Sequence, residues 1–477
     1  MAGKQQADRT ALQAAARDCM VLNFTDFAAF DDRPIPIIVN GDGTDVVDEQ
    51  GRHFIDGLSG LFCSNLGHGF GAEVGAAAQR QLSQLVYAPV WSLAHPSAVQ
   101  LAERLTSLAE PLGMERVFFT NSGGESVEAA WKLVRQWHAA NGQPQRRKAI
   151  SRNLAYHGTH MGALSFTGLD YCKDPFLPMA IPVAFVSNTN SFRHELEADE
   201  AAFTAFLLDE VHQAILREGP DEVAMFIAEP VQNSGGAFMP PAGYWQGLRE
   251  LCDRYGILLV ADETITGFGR MGEWFACMRL GARPDLITFA KGATAGHAPL
   301  GGVLMTARVA EPFASGAVTY VNGLTFSGHP LSTSIALAVL DIYERENVIA
   351  NVQALEGHFR DRLEALRKYP LVGDVRGGGF FWAVELVKDP ITRETFSAEE
   401  ANWLLKKELS DHMDELGLLC RLDDRGEPVI QLSPPLVCTR ETIDRIVDIV
   451  EEAVRRANVS WNAYRDSTVA DRPTNVA

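Results

Sequence analysis

The chain has 477 residues, 46% of them hydrophobic, and a formal net charge of −19. This length exceeds one ordinary core, so we expect two domains, or one large α/β domain with a smaller partner. The acidic balance argues against nucleic acid and anionic membranes as partners. The seven cysteines are scattered without metal-ligand spacing, and no apolar run is of the signal-peptide or membrane-spanning type. We therefore predict a cytoplasmic protein with reduced thiols and no metal site.

The N-terminal part of the chain predicts an arm followed by a small meander. Residues 1–30 are polar and compatible with a short helix. Between Ile35 and Asp56 the apolar stretches are broken by two glycine-containing turn signals, which is typical of antiparallel strands. A glycine-rich connection then leads into helical periodicity that ends near Val86. We assign residues 1–75 to a small domain.

The middle of the chain, residues 76–335, is predicted to form the large domain. From about residue 95 onward, strand-like runs alternate with helical ones, which predicts a mostly parallel seven-stranded sheet covered by helices on both faces. The strand-like runs are Arg116–Thr120, Lys148–Ser151, Val183–Val186, Val223–Ala228, Ile257–Ala261, Leu286–Ala290 and Gly301–Met305.

The remaining residues, 336–477, change to long amphipathic helices with short strands. The predicted strands are Gly379–Leu386, Leu418–Leu422 and Val429–Leu432. This pattern favours a second, smaller α/β unit, and we assign the N-terminal meander to the same unit. The small domain would thus come from both ends of the chain.

Two of the strand-like apolar runs in the middle of the chain are each followed directly by one reactive side chain. The run ending at Ala261 is followed by Asp262, and the run ending at Ala290 is followed by Lys291, one of only nine lysines. A lysine in such a place can shift its pKa and form a Schiff base with a carbonyl. Pyridoxal phosphate needs this pair, an acid for its ring nitrogen and an amine for its aldehyde. The plain alternative for the aspartate is a cap or turn residue.

Three further motifs lie at predicted strand ends or before helices. Residues 120–126, TNSGGES, place small residues at a helix start, where backbone N–H groups can bind a phosphate or simply form an ordinary N-cap. The aromatic ring of Tyr156 in YHG can stack on a planar cofactor or belong to the core. In the loop 323–330, Thr325 can donate to a phosphate or lie in a turn.

Taken in order, these segments resemble the class III pyridoxal-phosphate aminotransferases, the ω-transaminase group of fold type I. The likeness runs from residue 35 to Pro435 and is closest to the amine or β-alanine–pyruvate type. It is carried by the motifs TNSGGES, YHG, AEP, ADE-x-x-x-GFGR, AKG, TFSGHP and LSPPL. The family implies an α/β fold with a large cofactor-binding domain and pyridoxal 5'-phosphate as the cofactor.

The resemblance also implies a role for each matching residue. Lys291 would form the Schiff base and then carry the proton of the reaction, and Asp262 would pair with the ring nitrogen. The two faces of the ring would be covered by Tyr156 and Thr264. The remaining cofactor contacts would come from Ser122, Gly123, Gly124, His157 and Glu229, and from Thr325 of the neighbouring subunit of a homodimer.

Substrate recognition is where the sequence departs from the family pattern. The family often has Val or Ile at Thr264, an aromatic residue at His297 and Trp at Phe62. Members that use 2-oxoglutarate commonly have arginine where this chain has Thr159. Arg421 matches the arginine of the amine–pyruvate enzymes, and a guanidinium can hold a carboxylate with two hydrogen bonds. Its plain alternative is a surface residue of the small domain.

An aromatic wall is the other predicted substrate feature. Phe62, Trp91 and Tyr156, with Tyr87, are candidates, although aromatic side chains commonly belong to the core. Arg270 of GFGR is interpreted as a structural ion-pair partner rather than a substrate ligand.

Three functions stay open from the sequence. The leading one is a ping-pong transaminase that moves an amino group from an ω-amino acid or primary amine to pyruvate, built as a homodimer with shared sites or as a tetramer. The second is a pyridoxal-phosphate epimerase or aminomutase, because lysine abstracts a proton in all of these reactions. The third is a non-enzymatic α/β binding module.

Overall fold

The computed structural model describes residues 2–30, 34–423 and 425–470. Met1 and residues 471–477, the outer ends of the predicted arm and C-terminal unit, lie outside the described residues. The helices are α1 Ala2–Cys19, α2 Ser59–Phe62, α3 Gly71–Gln84, α4 Pro96–Leu108, α5 Gly123–Ala140, α6 Met161–Phe166, α7 Asp170–Lys173, α8 Glu200–Glu218, α9 Tyr244–Tyr255, α10 Ala276–Leu280, α11 Ala307–Ala314, α12 Pro330–Arg345, α13 Val348–Glu364, α14 Ala398–Trp403, α15 Ser410–Leu416 and α16 Arg440–Ala470.

Short 3-10 turns and one π-helical turn connect some of these helices; the π turn, Leu404–Leu409, joins α14 to α15. The strands are β1 Ile38–Asp42, β2 Asp45–Asp48, β3 His53–Asp56, β4 Met114–Thr120, β5 Lys148–Arg152, β6 Val183–Val186, β7 Val223–Ala228, β8 Leu258–Asp262, β9 Leu286–Phe289, β10 Gly301–Thr306, β11 Val372–Gly378, β12 Phe381–Leu386, β13 Leu418–Leu419, β14 Arg421–Asp423 and β15 Val429–Leu432.

The central sheet has seven strands in the order β4-β10-β9-β8-β7-β5-β6. Strands β9, β8, β7, β5 and β6 are parallel neighbours, whereas β10 runs antiparallel to both β4 and β9. Every residue of β7, β8 and β9 is buried, as expected for apolar strands covered on both faces. The mostly parallel seven-stranded sheet predicted from the sequence is confirmed.

Strand direction decides where polar side chains collect. Because β10 is antiparallel to both of its neighbours, β4 has the same direction as the parallel strands, so the carboxyl ends of six strands share one edge. Asp262 ends β8, Glu229 follows β7 directly, and Lys291 comes two residues after β9. Ligands bind at this edge in open α/β sheets.

Two four-stranded sheets lie outside the central one. The first, β1-β2-β3-β13, joins the antiparallel N-terminal meander to a strand from the C-terminal part, with Leu418 opposite Ile55 in parallel register. The second, β11-β12-β15-β14, is antiparallel. The domain boundaries at residues 75 and 335 stay a prediction, but both chain ends do contribute to one small sheet.

The C-terminal strand prediction needs two corrections. The run predicted as one strand, Leu418–Leu422, is divided at Cys420 into β13 and β14, which belong to different sheets. The chain crosses from one sheet to the other at this residue. The crossing is determined by which distant strands β13 and β14 pair with, and the apolar run itself contains no signal for it. Strand β11 was absent from the prediction because its sequence, VGDVRGG, combines charges and glycines that are poor strand formers.

None of the described helices is both long and apolar enough to cross a membrane.

Candidate functional site

A cavity of about 570 Å³ opens at the carboxyl edge of the central sheet. Nine of the predicted cofactor residues line it, although they come from five separate stretches of the chain. These nine are Ser122, Gly123, Gly124, Tyr156, His157, Glu229, Asp262, Thr264 and Lys291. The fold has therefore brought the motifs of the sequence together around one space.

Asp262 is held at the end of β8 by four hydrogen bonds. Its Oδ2 accepts from Nδ1 of His157 at 2.7 Å. Its Oδ1 accepts from the Thr264 backbone at 3.2 Å, the Thr264 hydroxyl at 2.6 Å and the Thr288 hydroxyl at 2.8 Å. Burial would raise the pKa of Asp262, but the hydrogen bond and charge of His157 and the two hydroxyls outweigh it and lower that pKa. The site thus keeps a buried, ionised carboxylate.

Lys291 has different surroundings from Asp262, because its amine lies beside apolar and aromatic groups. Its backbone has a positive φ of 40°, which is uncommon for a residue with a side chain and is found at functional sites. Its Nζ lies 6.0 Å from the centre of the Phe62 ring. Burial lowers the pKa of Lys291, against the opposing effect of Asp262. A larger share of this lysine is therefore an uncharged, nucleophilic amine than in water.

The start of α5 forms a narrow cradle. Ser122 is the N-cap, and its hydroxyl accepts from the Glu125 backbone at 3.3 Å. A Cβ added at Gly123 would lie 2.7 Å from Cγ2 of Thr264, and one at Gly124 would lie 2.2 Å from Nδ1 of His160. Only glycine fits at both places, so the backbone N–H groups stay accessible at a helix start, where anions bind.

The loop after β5 connects the cavity wall to a second buried acid. The backbone N–H of Tyr156 donates to Oε1 of Glu229 at 2.8 Å, and that of Asn233 donates to its Oε2 at 2.5 Å. Burial raises the pKa of Glu229 in spite of these donors and of the nearby charge of His157. Glu229 and Asp262 are therefore two buried carboxyl groups with opposite tendencies.

The wall of this cavity does not include Thr325, Trp91 or Phe62, which were predicted to lie in the site. Thr325 is exposed, and its carbonyl accepts from the Tyr87 hydroxyl at 2.6 Å. Trp91 is 67% exposed and lies against Gly323. Phe62 is instead buried, in a T-shaped contact with Phe381 behind Lys291. The aromatic wall within one chain is thus reduced to Tyr156.

Arg421 lies on β14, close enough for its charge to act on the cavity. That charge adds to the burial that lowers the pKa of Lys291, and it partly offsets the burial that raises the pKa of Tyr156. Its Nε is 3.7 Å from Oδ2 of Asp423, a carboxylate that Arg425 binds through two nitrogen atoms. Burial, followed by the charge of Arg425, lowers the pKa of Arg421.

Arg270 has a structural position, as predicted, but it forms no ion pair with any described residue. Its guanidinium donates to neutral oxygens of Ser59, Asn65, Phe380 and Pro434. Burial lowers its pKa to about 10. It joins the loop after β8 to the segments that follow β3 and β15.

Several cavity residues were missed from the sequence. They include Leu61, Cys63, His160, Ile265, Thr294, Gly296 and residues 298–300. His160 lies three residues beyond His157, so the YHG motif marked the right loop but not its full extent. Leu61 is the neighbour of Phe62, and a strained turn with positive φ at Ser59, Gly60 and Phe62 places it at the cavity.

These side chains fit pyridoxal 5'-phosphate by type: a carboxylate, an amine, an aromatic ring, a β-branched cover and a glycine cradle for a phosphate. The fold and site together define a pyridoxal-phosphate enzyme of fold type I. Residues 27–454 match the model of the family Aminotransferase class-III. The chain therefore belongs to the class III aminotransferases and depends on pyridoxal phosphate.

Relatives of known or probable activity support this assignment. A probable aminotransferase of Mycobacterium tuberculosis is 46% identical over 88% of this chain and 89% of its own length. The putrescine–pyruvate aminotransferase of Pseudomonas aeruginosa is 35% identical over 93% and 95%. The diaminobutyrate–2-oxoglutarate transaminase of Halomonas elongata is 36% identical over 90% and 92%. These relatives agree on aminotransfer and differ in substrates.

The solved structures agree with the fold. An (S)-enantioselective ω-transaminase from Thermomicrobium roseum superposes with a TM-score of 0.89 at 35% identity and covers 94% of this chain and 98% of its own. The predictions of the fold, the enzyme class and the cofactor are thus confirmed.

Proposed function

We propose that this aminotransferase moves an amino group from a primary amine or ω-amino acid to pyruvate in two half-reactions. The observation that carries the proposal is the placement of cations near the cavity. Thr159 lines the wall where a fixed arginine would serve a second carboxylate, and Arg421 stands nearby on β14. Arg425 also lies nearby, but it is bound to Asp423 through two nitrogen atoms, which leaves Arg421 as the available guanidinium among the described residues. One such group suits an acceptor with one carboxylate.

The reactive centre follows from the two strand ends. When bound, pyridoxal phosphate supplies a cationic ring that accepts electrons as the substrate Cα–H bond breaks. Asp262 is ionised and buried, so it stabilises a positive charge on the ring nitrogen. Lys291, with its lowered pKa, removes and returns the substrate proton at its Nζ. Tyr156 and Thr264 would hold the ring between them, and the α5 cradle of Ser122, Gly123 and Gly124 would hold the phosphate.

The cavity also carries an apolar surface for the amine donor. Leu61, Val231, Ile265 and Leu300 line it beside the polar edge. An uncharged hydrocarbon group can pack against these side chains, provided that no unpaired cation faces it, because an unpaired buried charge is costly. Arg421 meets this condition if it turns toward the cavity for a keto acid and stays near Asp423 for an amine.

We further propose a homodimer with shared sites. Tyr87, Trp91, Val321, Thr325 and Phe326 lie on one surface, where the Tyr87 ring is 6.1 Å from that of Phe326. Trp91, Val321 and Phe326 are each more than half exposed, and exposed apolar side chains that share one surface mark a protein–protein contact. A second copy across a two-fold axis would cover them and could bring Thr325 to the phosphate of its partner. Light scattering of W91D should show monomers with little activity; a fully active monomer would contradict the shared site.

A reducing compartment such as the cytoplasm is consistent with the seven cysteines, which are all unpaired thiols in the structure.

A donor and acceptor panel tests the proposed substrates. The enzyme is incubated with a set of primary amines and ω-amino acids, with either pyruvate or 2-oxoglutarate, and alanine and glutamate are quantified. We expect alanine at rates at least about tenfold above those of glutamate, since one guanidinium pairs with one carboxylate. Faster glutamate formation would contradict the pyruvate assignment while leaving the aminotransferase class intact.

A further inference from the structure

The carboxylate of Asp262 has an uneven set of partners. Oδ1 accepts three hydrogen bonds, two from Thr264 and one from Thr288. Oδ2 accepts one, from His157. A carboxylate oxygen has about two lone pairs for acceptance, so Oδ1 is saturated and the remaining capacity is on Oδ2.

The two hydroxyls reach Oδ1 from different places. Thr288 is fully buried in β9, where it is the register partner of Asp262 in the parallel pair β8–β9. Thr264 follows β8, and its methyl group faces Gly123 at the start of α5. Thr264 therefore faces the cavity and the acid at once, whereas Thr288 stands behind the acid and outside the described cavity wall.

We propose that Thr264 and Thr288 form a hydroxyl clamp on Oδ1 of Asp262, which fixes the carboxylate so that Oδ2 is presented to the ring nitrogen of the cofactor. Both threonines are positioning residues, since they act through Asp262. The inference rests on the proposed pairing of Asp262 with that nitrogen and adds which oxygen serves it and what orients it.

The clamp is favourable because both donors are short hydroxyl groups on rigid elements. Threonine is stiff about χ1, so its hydroxyl keeps one direction with little loss of entropy. The Thr264 hydroxyl, at 2.6 Å, has the length of a strong O–H to carboxylate bond, and the Thr288 hydroxyl, at 2.8 Å, has the ordinary length of an O–H···O bond. If the Asp262 carboxylate had only one of these two hydroxyl donors, it could rotate, and its negative charge would be distributed differently between its two oxygens.

Five holoenzyme variants test the clamp, one of which, T288S, is the rescue of T288V. T264V and T288V each remove one hydroxyl and keep the β-branched shape, T264S keeps the hydroxyl without the methyl group, and D262N is the reference for loss of the acid. Two properties are measured: the rate at which bound pyridoxal phosphate leaves in the presence of an excess of a pyridoxal-phosphate trap, and the pH midpoint of its visible absorption band. Neither requires turnover.

We expect T264V and T288V to release the cofactor about three- to tenfold faster, because the lost hydrogen bond acts on the cofactor only through the orientation of Asp262. The pH midpoint of the visible absorption band should shift in the same direction in T264V and in T288V. T264S should stay within about twofold of the wild type, and T288S should restore the behaviour lost in T288V. The thermal midpoint of each variant is recorded to confirm that it is folded.

Two results overturn the proposal and are distinguishable. If T264V releases the cofactor faster but a folded T288V behaves as the wild type, Thr264 acts by touching the ring and not through Asp262. If D262N itself leaves both properties unchanged, the pairing of Asp262 with the ring nitrogen fails, and the clamp fails with it.

Discussion

Two regions around the cavity hold their charged groups in different ways. At the ends of β7, β8 and β9, Asp262 is 5% exposed and receives four hydrogen bonds. On β14, the Arg421 side chain is 28% exposed and approaches Asp423 at 3.7 Å, beyond hydrogen-bond length. The first region is rigid and built for one cofactor. The second is looser, as suits a group that must meet charged and uncharged substrates in turn.

The largest expected effect comes from breaking the rigid region at Lys291. K291A should reduce transamination by more than about 10³-fold, because the nucleophile and the proton carrier are lost together. Alanine formation from an amine and pyruvate measures this loss. The matched control is K388A, which changes a lysine that follows β12 and pairs with Glu400, and this variant should keep the wild-type rate.

The same region can be labelled directly. Borohydride reduction of the wild-type holoenzyme, followed by peptide mapping, should place the pyridoxyl group on Lys291. A pyridoxyl group on another lysine would show that the assignment is wrong.

Within the rigid region, Asp262 and Glu229 should differ. D262N should lower the rate by roughly 10²- to 10³-fold, because it removes the preorganised charge that stabilises the cationic ring. E229Q removes a charge that burial already disfavours, although its NH2 leaves one of the two backbone N–H donors without an acceptor, so we expect a loss within about tenfold. Steady-state rates of both variants give the comparison. Equal losses would mean that the two acids have the same task.

The looser region should affect only one half-reaction. R421A should weaken pyruvate and alanine by roughly 2–5 kcal/mol, the range for truncating one partner of a desolvated charge pair. The half-reaction with a simple arylalkylamine should change far less, because it brings no carboxylate. Single-turnover absorbance changes separate the two. An equal loss with both substrates would assign Arg421 a structural role.

The smallest expected effect is a difference in the pH dependence of stability. The pKa of Glu229 is raised in the folded protein, so stability is lost as the pH rises from the usual glutamate value through the raised one. The pKa of Asp262 is lowered, so its stabilisation is present above the usual aspartate value and lost only as the pH falls through the folded value.

Thermal unfolding of the cofactor-depleted proteins from about pH 5 to about pH 8 measures both slopes. The midpoint of E229Q should rise relative to the wild type as the pH increases over this range. The difference between D262N and the wild type should stay level, since Asp262 titrates below it. A level difference for E229Q would mean that Glu229 is ionised throughout.

The part of the site that the sequence could predict consists of local motifs. Asp262 and Lys291 each follow an apolar run, and strand direction then places them at the same edge of the sheet. The glycines of TNSGGES directly precede a helical pattern. In these cases the chemistry and the backbone signal lie within a few neighbouring residues, and a short stretch of chain determines both.

The partners of those residues depended on packing between distant segments. His157 is hydrogen-bonded to Asp262, although the two residues are 105 positions apart in the sequence, and no local sequence pattern predicts that contact. Phe62, predicted in the substrate pocket, is buried against Phe381, while its neighbour Leu61 lines the cavity. The segment is turned by positive φ angles at Ser59, Gly60 and Phe62, and no periodic pattern in the sequence indicates such backbone angles.

The sequence by itself determined the fold class, the family and the two residues at the strand ends, because apolar periodicity and short motifs carry that information locally. Only the tertiary structure decided that Leu418–Leu422 is shared between two sheets, that Arg270 is held by neutral oxygens, and that two threonines from different segments meet on one oxygen of Asp262. The physical reason is that strand pairing and hydrogen-bond partners are chosen by the energy of the whole packed chain, in which segments far apart in sequence compete for the same groups.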